Sequence, residues 1–221
     1  MSGEIDGFVL TGGASRRMGR DKASIRFGDS SLAGRANSVL SAIAENVHAV
    51  GITIVPGIPN LPDIKKSGQP RGSIFGLHSA LFHSQNEWTA VLACDLPFIT
   101  GTFFQRLVAL CGSVGQQCDA IVPVQPDGRY QPLAALYRSR SCLHTVERMI
   151  ADENFRLSNF VESINAYRVL PDEYGDLNER GTLFFNINTL EDYALALDLA
   201  AASEAETAGN RSRFYHSDKS T

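Results

Sequence analysis

The chain of 221 residues is long enough for one sizeable domain or two small ones, and a hydrophobic content of 43% can supply a buried core. Its formal net charge of −4 argues against a broad nucleic-acid-binding surface, so any anion site must be local. No apolar run reaches the length of a membrane span, and the first residues lack the basic start and apolar centre of a secretory signal. We therefore expect a cytoplasmic protein that binds neither nucleic acid nor membrane.

Strand-like and helical patterns alternate through the first part of the chain. Apolar runs predict strands at residues 7–10, 47–50, 89–93 and 120–124, and apolar residues at helical spacing predict helices at 32–44, 72–83 and 103–110. Ser30 or Ser31 would cap the first helix. Between them we expect a short extended piece at 22–28 that ends in a turn at Gly28 and Asp29, and a loop at 51–72 with an extended piece at 52–55.

The second part of the chain is less regular. Asp127 and Gly128 form a predicted turn, residues 132–137 read as extended, and helices are expected at 142–151, 157–164 and 189–199, the last with Thr189 as its N-cap. Residues 201–221 are rich in Ala, Ser and Glu without an apolar period and predict a frayed or disordered tail. The expectation is one α/β domain at residues 1–200, a three-layer sandwich with a mostly parallel, Rossmann-like sheet and helices on both faces, followed by a tail at 201–221.

The four cysteines, Cys94, Cys111, Cys118 and Cys142, show no Cys-x-x-Cys spacing and no companion histidine cluster. This pattern argues against both a zinc site and a disulfide framework. We expect reduced thiols.

A basic glycine-rich stretch directly follows the first predicted strand. It reads Leu10-Thr11-Gly12-Gly13-Ala14-Ser15-Arg16-Arg17-Met18-Gly19-Arg20-Asp21-Lys22. The glycine pair lets the backbone approach a ligand closely, and free amides with nearby cations suit a polyphosphate. The stretch is neither a Walker loop nor a dinucleotide-binding fingerprint. The alternative is a basic surface turn, which so long an ordered pattern makes improbable.

This stretch resembles the motif Leu-x-Gly-Gly-x-Ser-x-Arg-Met-Gly-x-Asp-Lys of the MobA-like nucleotidyltransferases and matches it throughout. Further motifs follow in the family's order and extend the resemblance from residue 7 to about 199. They are Gly72 with Gly76-Leu77, Cys94-Asp95-Leu96-Pro97-Phe98, Gln131-Pro132-Leu133-x-Ala135-Leu136-Tyr137 and Asn186-Ile187-Asn188-Thr189. The resemblance implies the nucleotide-diphospho-sugar transferase type of fold.

Two features of the site also follow from the residues themselves. Asp95 comes after an apolar strand, so its carboxylate would lie beside the glycine loop and could hold Mg²⁺; the alternative is a turn aspartate. Asn186 and Asn188 flank one apolar residue and would share a face of an extended chain; the alternative is a pair of turn or cap asparagines.

The resemblance assigns roles to these and other residues. It implies that Arg17, Lys22 and Asp95 are catalytic and that Asp95, Asn186 and Asn188 bind Mg²⁺. The nucleotide would be bound by Leu10, Thr11, Gly12, Gly13, Ser15, Lys22, Asp63 and Asp95. The acceptor would be bound by Gln131 and Arg156, although Arg156 could equally be a solvated residue at a helix start.

Within the family, the order of motifs from Gln131 onward is most similar to the subgroup that makes the guanine dinucleotide form of the molybdenum cofactor. The implied reaction transfers GMP from GTP to the terminal phosphate of molybdopterin and releases pyrophosphate, by in-line attack and without a covalent protein intermediate. Implied partners are GTP, molybdopterin, and molybdoenzyme apoproteins or other cofactor-biosynthesis proteins.

The chain departs from the family pattern around the base pocket. The family's aspartate before the Leu-x-Gly-Leu motif falls on Lys66, with Asp63 the nearest carboxylate upstream, and Gly51 stands near the place of a family asparagine. Two alternatives therefore stay open: a related transferase that uses CTP or another acceptor, and a non-catalytic module that binds or delivers cofactor. Arg17, Lys22 and Asp95 together argue against the second, because binding alone needs no metal at the α-phosphate.

Overall fold

A central sheet of seven strands organises the computed structural model, which describes residues 5–12, 21–51, 53–64, 72–114 and 117–217, with side chains as far as Ser203. The strands are β1 (Ile5–Leu10), β4 (Asn46–Val50), β5 (Asn60–Leu61), β6 (Trp88–Ala93), β7 (Ala120–Pro123), β8 (Ala134–Arg138) and β9 (Ala166–Val169), while β2 (Arg26–Phe27) and β3 (Ser30–Ser31) form a separate hairpin. The helices are α1 (Leu32–Leu40), α2 (Ser73–His83), α3 (Gly101–Val114), α4 (Ser139–Ala151), α5 (Leu157–Ser163) and α6 (Leu190–Ser217).

The sheet order is β5-β4-β1-β6-β8-β7-β9, and every neighbouring pair is parallel except those that include β8. The carboxyl ends of the six parallel strands therefore lie at one edge of the sheet, together with the start of β8. This edge is where ligands bind in open α/β sheets. The prediction of a mostly parallel sheet is confirmed.

The sheet separates two hydrophobic cores. Side chains alternate along each strand, so Val9 and Leu92 pack with α1 and α3 on one face, while Phe8 and Val91 pack with α2 and α4 on the other. β1 and β6 are buried at every position, as expected for strands that are covered on both faces. The predicted three-layer sandwich is confirmed.

Several local predictions differ from the structure. Residues 53–55 are not a strand; β5 lies farther on, at Asn60–Leu61, and Ile54 is exposed. Residues 22–28 open with a 3-10 turn at Lys22–Ser24 before the β2–β3 hairpin. Helix α1 ends at Leu40 rather than at 44, because the next residues turn while Ile43 and Ala44 stay buried and so continue the apolar pattern. Ser31, one of the two predicted caps, accepts a hydrogen bond from Gly34 N.

Helix α6 continues beyond Leu199 to Ser217, so the backbone is helical through most of the stretch that the composition predicted to be frayed or disordered. Ala196 is buried, and Tyr193 and Ala200 pack against the same core. Three leucines of this helix, at 190, 195 and 197, are exposed. Whether residues 201–221 behave as a tail separate from the domain stays a prediction.

Candidate nucleotide-binding and catalytic site

The end of β1 delivers the first residues of the glycine loop to the carboxyl edge. Thr11 donates two hydrogen bonds to Val50 O, from its backbone N at 2.9 Å and its Oγ1 at 3.0 Å. Cys94 N donates to Leu10 O at 3.2 Å from the other side. Leu10 and Thr11 are buried and Gly12 is exposed, so β4 and β6 hold the start of the loop in place. Gly13, Ser15 and Arg17 lie outside the described residues.

Gly51 allows β4 to approach this loop closely. Its φ is +138°, and a β-carbon on it would lie 2.6 Å from Thr11 Oγ1 and 2.9 Å from Gly12 N. No side chain fits at that distance, and L-residues rarely adopt this backbone conformation. Sequence reasoning noted Gly51 only as a departure from the family pattern; the structure shows the contact that it permits.

Asp63 lies at the mouth of the loop, on the β5 side. A β-carbon placed on Gly12 would be 3.7 Å from Asp63 Oδ2. The next residue is fixed to α2, because Ile64 N donates to Ser79 Oγ at 2.7 Å and Ser79 Oγ donates to Phe75 O at 2.9 Å. The structure thus brings together Gly12 and Asp63, two of the residues predicted to bind the nucleotide.

On the β6 side, three predicted site residues converge. Lys22 Nζ lies 3.5 Å from Asp95 Oδ2 and donates a hydrogen bond to Asn188 Oδ1 at 3.1 Å. Their segments are far apart in the chain, since Lys22 and Asn188 are separated by 166 positions. We refer to Lys22, Asp95 and Asn188 as the lysine–carboxylate–amide cluster.

Asp21 shapes the turn that presents Lys22. Its carboxylate accepts hydrogen bonds from Ala23 N at 3.3 Å and Ser24 Oγ at 3.1 Å, which caps the 3-10 turn at Lys22–Ser24. Sequence reasoning assigned Asp21 no role. An aspartate just before a helical turn is a capping signal that could have revealed it.

Asp95 stands two residues beyond β6, and its carbonyl accepts a hydrogen bond from Ile187 N at 2.9 Å. Burial raises the pKa of the Asp95 carboxyl, and the neighbouring Lys22 ammonium opposes that shift. A buried carboxylate is stabilised by a cation, so this position favours a positively charged partner. Burial and the charge of Asp95 raise the pKa of the adjacent Cys94 thiol, which makes a nucleophilic role for that thiol unfavourable.

Asn186 and Asn188 are exposed on either side of the buried Ile187. Only Asn188 joins the cluster; among the described residues, Asn186 makes no side-chain hydrogen bond. The start of α6 orients this segment: Asp192 Oδ2 accepts from Asn188 N at 2.8 Å and Thr189 N at 2.9 Å. Thr189 Oγ1 accepts from Asp192 N at 3.1 Å, so Thr189 is the N-cap, as predicted.

The donor set fits Mg²⁺. Asp95 offers carboxylate oxygens and Asn188 an amide oxygen, and both lie within reach of one cationic group, the Lys22 ammonium. The described residues contain no group of three His, Cys, Asp or Glu side chains that could hold a metal by themselves. Mg²⁺ is commonly held by one or two carboxylates together with substrate phosphates, which matches so sparse a site.

The two predicted acceptor residues lie in different segments, one before β8 and the other at the start of α5. Gln131 is buried at the carboxyl edge, where its N donates to Pro123 O at 2.8 Å just before β8 begins. Arg156 is exposed at the start of α5, and its side chain makes no hydrogen bond to another described residue. Phe155 beside it contacts Phe75 of α2, with ring centroids 5.5 Å apart.

Within the described part of the chain, no helix is long and apolar enough to cross a membrane.

A mostly parallel sheet with Gly12 and the lysine–carboxylate–amide cluster at its carboxyl edge is the arrangement expected of an α/β nucleotidyltransferase. Comparisons with known proteins agree. Residues 7–166 match the family model described as the MobA-like NTP transferase domain. The chain therefore belongs to the MobA-like NTP transferase family.

Similar proteins align with this chain over most of its length. A probable molybdenum cofactor guanylyltransferase of Natranaerobius thermophilus is 26% identical over 87% of this chain and 94% of its own length. A protein of the same name from Pelotomaculum thermopropionicum is 28% identical over 90% and 95%. The crystal structure of molybdopterin-guanine dinucleotide biosynthesis protein A from Archaeoglobus fulgidus superposes with a TM-score of 0.70 at 23% identity, over 89% of this chain and 99% of that one.

Proposed function

We propose that this protein transfers GMP from GTP to the terminal phosphate of molybdopterin in a Mg²⁺-dependent reaction that releases pyrophosphate. The observation that supports the proposal is the lysine–carboxylate–amide cluster, which joins a cation to carboxylate and amide oxygens at the carboxyl edge of the sheet. Cys94, the neighbour of Asp95, donates to Leu10 O at the start of the glycine loop. The choice of acceptor and base is supported by the names of the relatives, which are called probable molybdenum cofactor guanylyltransferases.

The proposed chemistry is an in-line displacement. An oxygen of the acceptor phosphate forms a bond to the α-phosphorus of GTP, the bond from that phosphorus to the bridging oxygen breaks, and pyrophosphate leaves with the electron pair. The amides at Gly12 and Gly13 bind the phosphates, and Lys22 and Arg17 neutralise the negative charge that develops on them. Bound Mg²⁺ would be held by Asp95 and Asn188 and would supply further charge neutralisation at the phosphates.

The positions of the other predicted residues suit two substrates that meet at Asp95. Asp63 and Gly51 lie on the β4–β5 side of the glycine loop, and Gln131 lies on the β8 side of β6. We propose that GTP occupies the first side and molybdopterin the second. Delivery of the product to molybdoenzyme apoproteins is part of the same expectation.

The test is direct. Purified protein is incubated with Mg²⁺, GTP and molybdopterin, and the guanine dinucleotide and pyrophosphate are measured. We expect both products in equal amounts and neither when Mg²⁺ is chelated. A protein that binds Mg²⁺–GTP but forms no dinucleotide would contradict the proposal.

A second candidate is a related transferase that uses CTP or another acceptor. It is favoured by Lys66, which stands where the family's base-pocket aspartate is expected and lies outside the described residues. Thermal unfolding with each nucleoside triphosphate and Mg²⁺ separates the two, because a ligand that binds only the folded state raises the midpoint by mass action. A larger shift with CTP than with GTP would favour the second candidate.

A further inference from the structure

A chain of aromatic rings joins the three segments that carry the cluster. The rings of Phe27 and Phe98 lie 5.8 Å apart at 87°, and those of Phe98 and Phe185 lie 6.1 Å apart at 75°. Edge-to-face pairs have a preferred relative orientation, so they fix the positions of the rings more closely than nonspecific apolar packing does. Phe27 belongs to the hairpin after Lys22, Phe98 follows Asp95 by three residues, and Phe185 precedes Asn188 by three.

Arg35 of α1 contacts both Phe27 and the residue before Phe98. Its guanidinium lies 5.1 Å from the centre of the Phe27 ring. The same group donates two hydrogen bonds to Pro97 O, from Nε at 3.4 Å and Nη2 at 3.2 Å. One side chain therefore holds both the hairpin that follows Lys22 and the turn that follows Asp95, and its planar fork is suited to make both contacts at once.

A third tie links the hairpin to α6. Tyr193, five residues after Asn188, donates a hydrogen bond from its OH to Arg26 O at 2.7 Å. Each pair of the three cluster segments is thus joined by a side-chain contact outside the cluster. By contrast, the atoms that approach Gly12 and Gly51 belong to Thr11, Gly12 and Asp63, on the β4–β5 side of β1.

From this arrangement we propose that Arg35, with Phe27, Phe98 and Phe185, forms a brace that sets the relative positions of Lys22, Asp95 and Asn188. Arg35 is a positioning residue, since it acts through Pro97 and Phe27 and touches no cluster side chain. The inference rests on the proposed function for its catalytic readout. It predicts that damage to the brace slows the transfer step and removes the Mg²⁺-dependent part of GTP binding. Binding through the start of the glycine loop persists, because β4 holds Thr11 from the other side of β1.

The test compares R35M, R35K and the matched control R106M. Arg106 lies on α3, donates to Glu173 O at 3.1 Å and pairs with Asp176, so its loss also removes an arginine–carbonyl contact but away from the cluster. We expect R35M to lower kcat by about ten- to a hundredfold, since small misplacements of reacting groups carry losses of that order. Its KM for GTP should change by less than about threefold, and R35K, which keeps the cation and one donor, should recover part of kcat. R106M should keep the kcat of the unaltered protein.

A binding readout separates failure of the brace from failure of the proposed function. Mg²⁺ should enlarge the thermal shift that GTP produces in the unaltered protein, and R35M should lose that increment while it keeps the shift with GTP alone. This holds even if molybdopterin proves to be the wrong acceptor. If R35M does not fold, F98L serves in its place, since it keeps apolar volume but loses both ring contacts. Equal kcat in R35M and R106M, or an equal loss of GTP affinity with and without Mg²⁺, would overturn the proposal.

Discussion

Asp95 is the residue on which the chemistry of the site most depends. Its side chain is 23% exposed and that of Lys22 is 12% exposed, so the pair lies partly out of water. Charges interact more strongly there than at an open surface, and an unpartnered carboxylate is correspondingly unfavourable. A cation at this position therefore serves both the fold and the proposed reaction.

We expect D95N to lower kcat by more than about a hundredfold, the order found when a group that stabilises transition-state charge is removed. Affinity for GTP without Mg²⁺ should change little, because Asn keeps the size of the side chain.

Because burial raises the pKa of the Asp95 carboxyl, this group should take up a proton at a higher pH than a surface aspartate as the solution is acidified. Mg²⁺-dependent GTP binding should weaken over that acidic range in the unaltered protein, and D95N should lack this dependence. Calorimetric titration at several pH values measures both effects, and full turnover by D95N would exclude the assigned role.

A second prediction concerns the close approach of Gly51 to the glycine loop, and Gly57 provides the control. G51A places a methyl group 2.6 Å from Thr11 Oγ1 and imposes an unfavourable φ. Gly57 also has a positive φ, +79°, but a β-carbon on it would meet no atom within 4 Å. Both alanine variants should lose stability, by about 1–3 kcal/mol from backbone strain. Only G51A should also weaken GTP binding, because only it displaces the glycine loop; equal GTP affinity in the two variants would contradict this reading.

At the scale of elements, the start of α6 couples helix capping to the cluster. Asp192 accepts two backbone hydrogen bonds, one of them from Asn188, so the same carboxylate stabilises the helix end and orients a predicted metal ligand. Acidic residues in the first turn are also favourable to the helix dipole.

We expect D192A to cost about 1 kcal/mol of stability, as the loss of a helix cap generally does, and to weaken Mg²⁺-dependent GTP binding. The control is T100A, which removes another N-terminal contact, the hydrogen bond that Phe103 N donates to Thr100 Oγ1 at 3.2 Å. T100A should show a similar loss of stability without the change in Mg²⁺ dependence. Denaturant unfolding measures the loss of stability, and nucleotide titration measures the Mg²⁺ dependence of GTP binding. The same Mg²⁺ dependence in D192A and T100A would contradict a role of Asp192 at the site.

The long elements were predictable from sequence for a physical reason. β1 and β6 are six-residue runs buried on both faces, and such runs have few alternative structures. β5 and β9 were missed, because β5 has only two residues and β9 carries the exposed Arg168 at the edge of the sheet. Edge strands are buried less, so their pattern resembles that of loops.

The site was predictable only in part, for a related reason. The motifs identified Lys22, Asp95 and Asn188 separately, and the structure brings these three together. The sequence could not indicate that Arg35 contacts Pro97, because that contact joins residues 62 positions apart and leaves no local pattern. The roles of Arg17, Gly13 and Ser15 stay predictions, since these residues lie outside the described part of the chain.

At the scale of the whole molecule, two thiols and one phenol of the two cores make the protein less stable at alkaline pH. Burial raises the pKa of Cys142, with a contribution from the Asp119 charge, and that of Cys111, each from 9.0 to about 12, and it raises the pKa of Tyr174 from 10.0 to about 12. A group whose pKa is higher in the folded state contributes its full stability below the unfolded pKa and loses it as the pH rises toward the folded value. The midpoint of thermal unfolding should therefore be steady up to about pH 9 and fall progressively between pH 9 and 11.

In the C142A variant, the midpoint of thermal unfolding at pH 8 should be lower because packing is lost. Its further fall between pH 8 and pH 11 should be smaller than in the unaltered protein. Scanning calorimetry at fixed ionic strength measures both, and a midpoint independent of pH from 8 to 11 would show that these groups do not limit the stability of the fold.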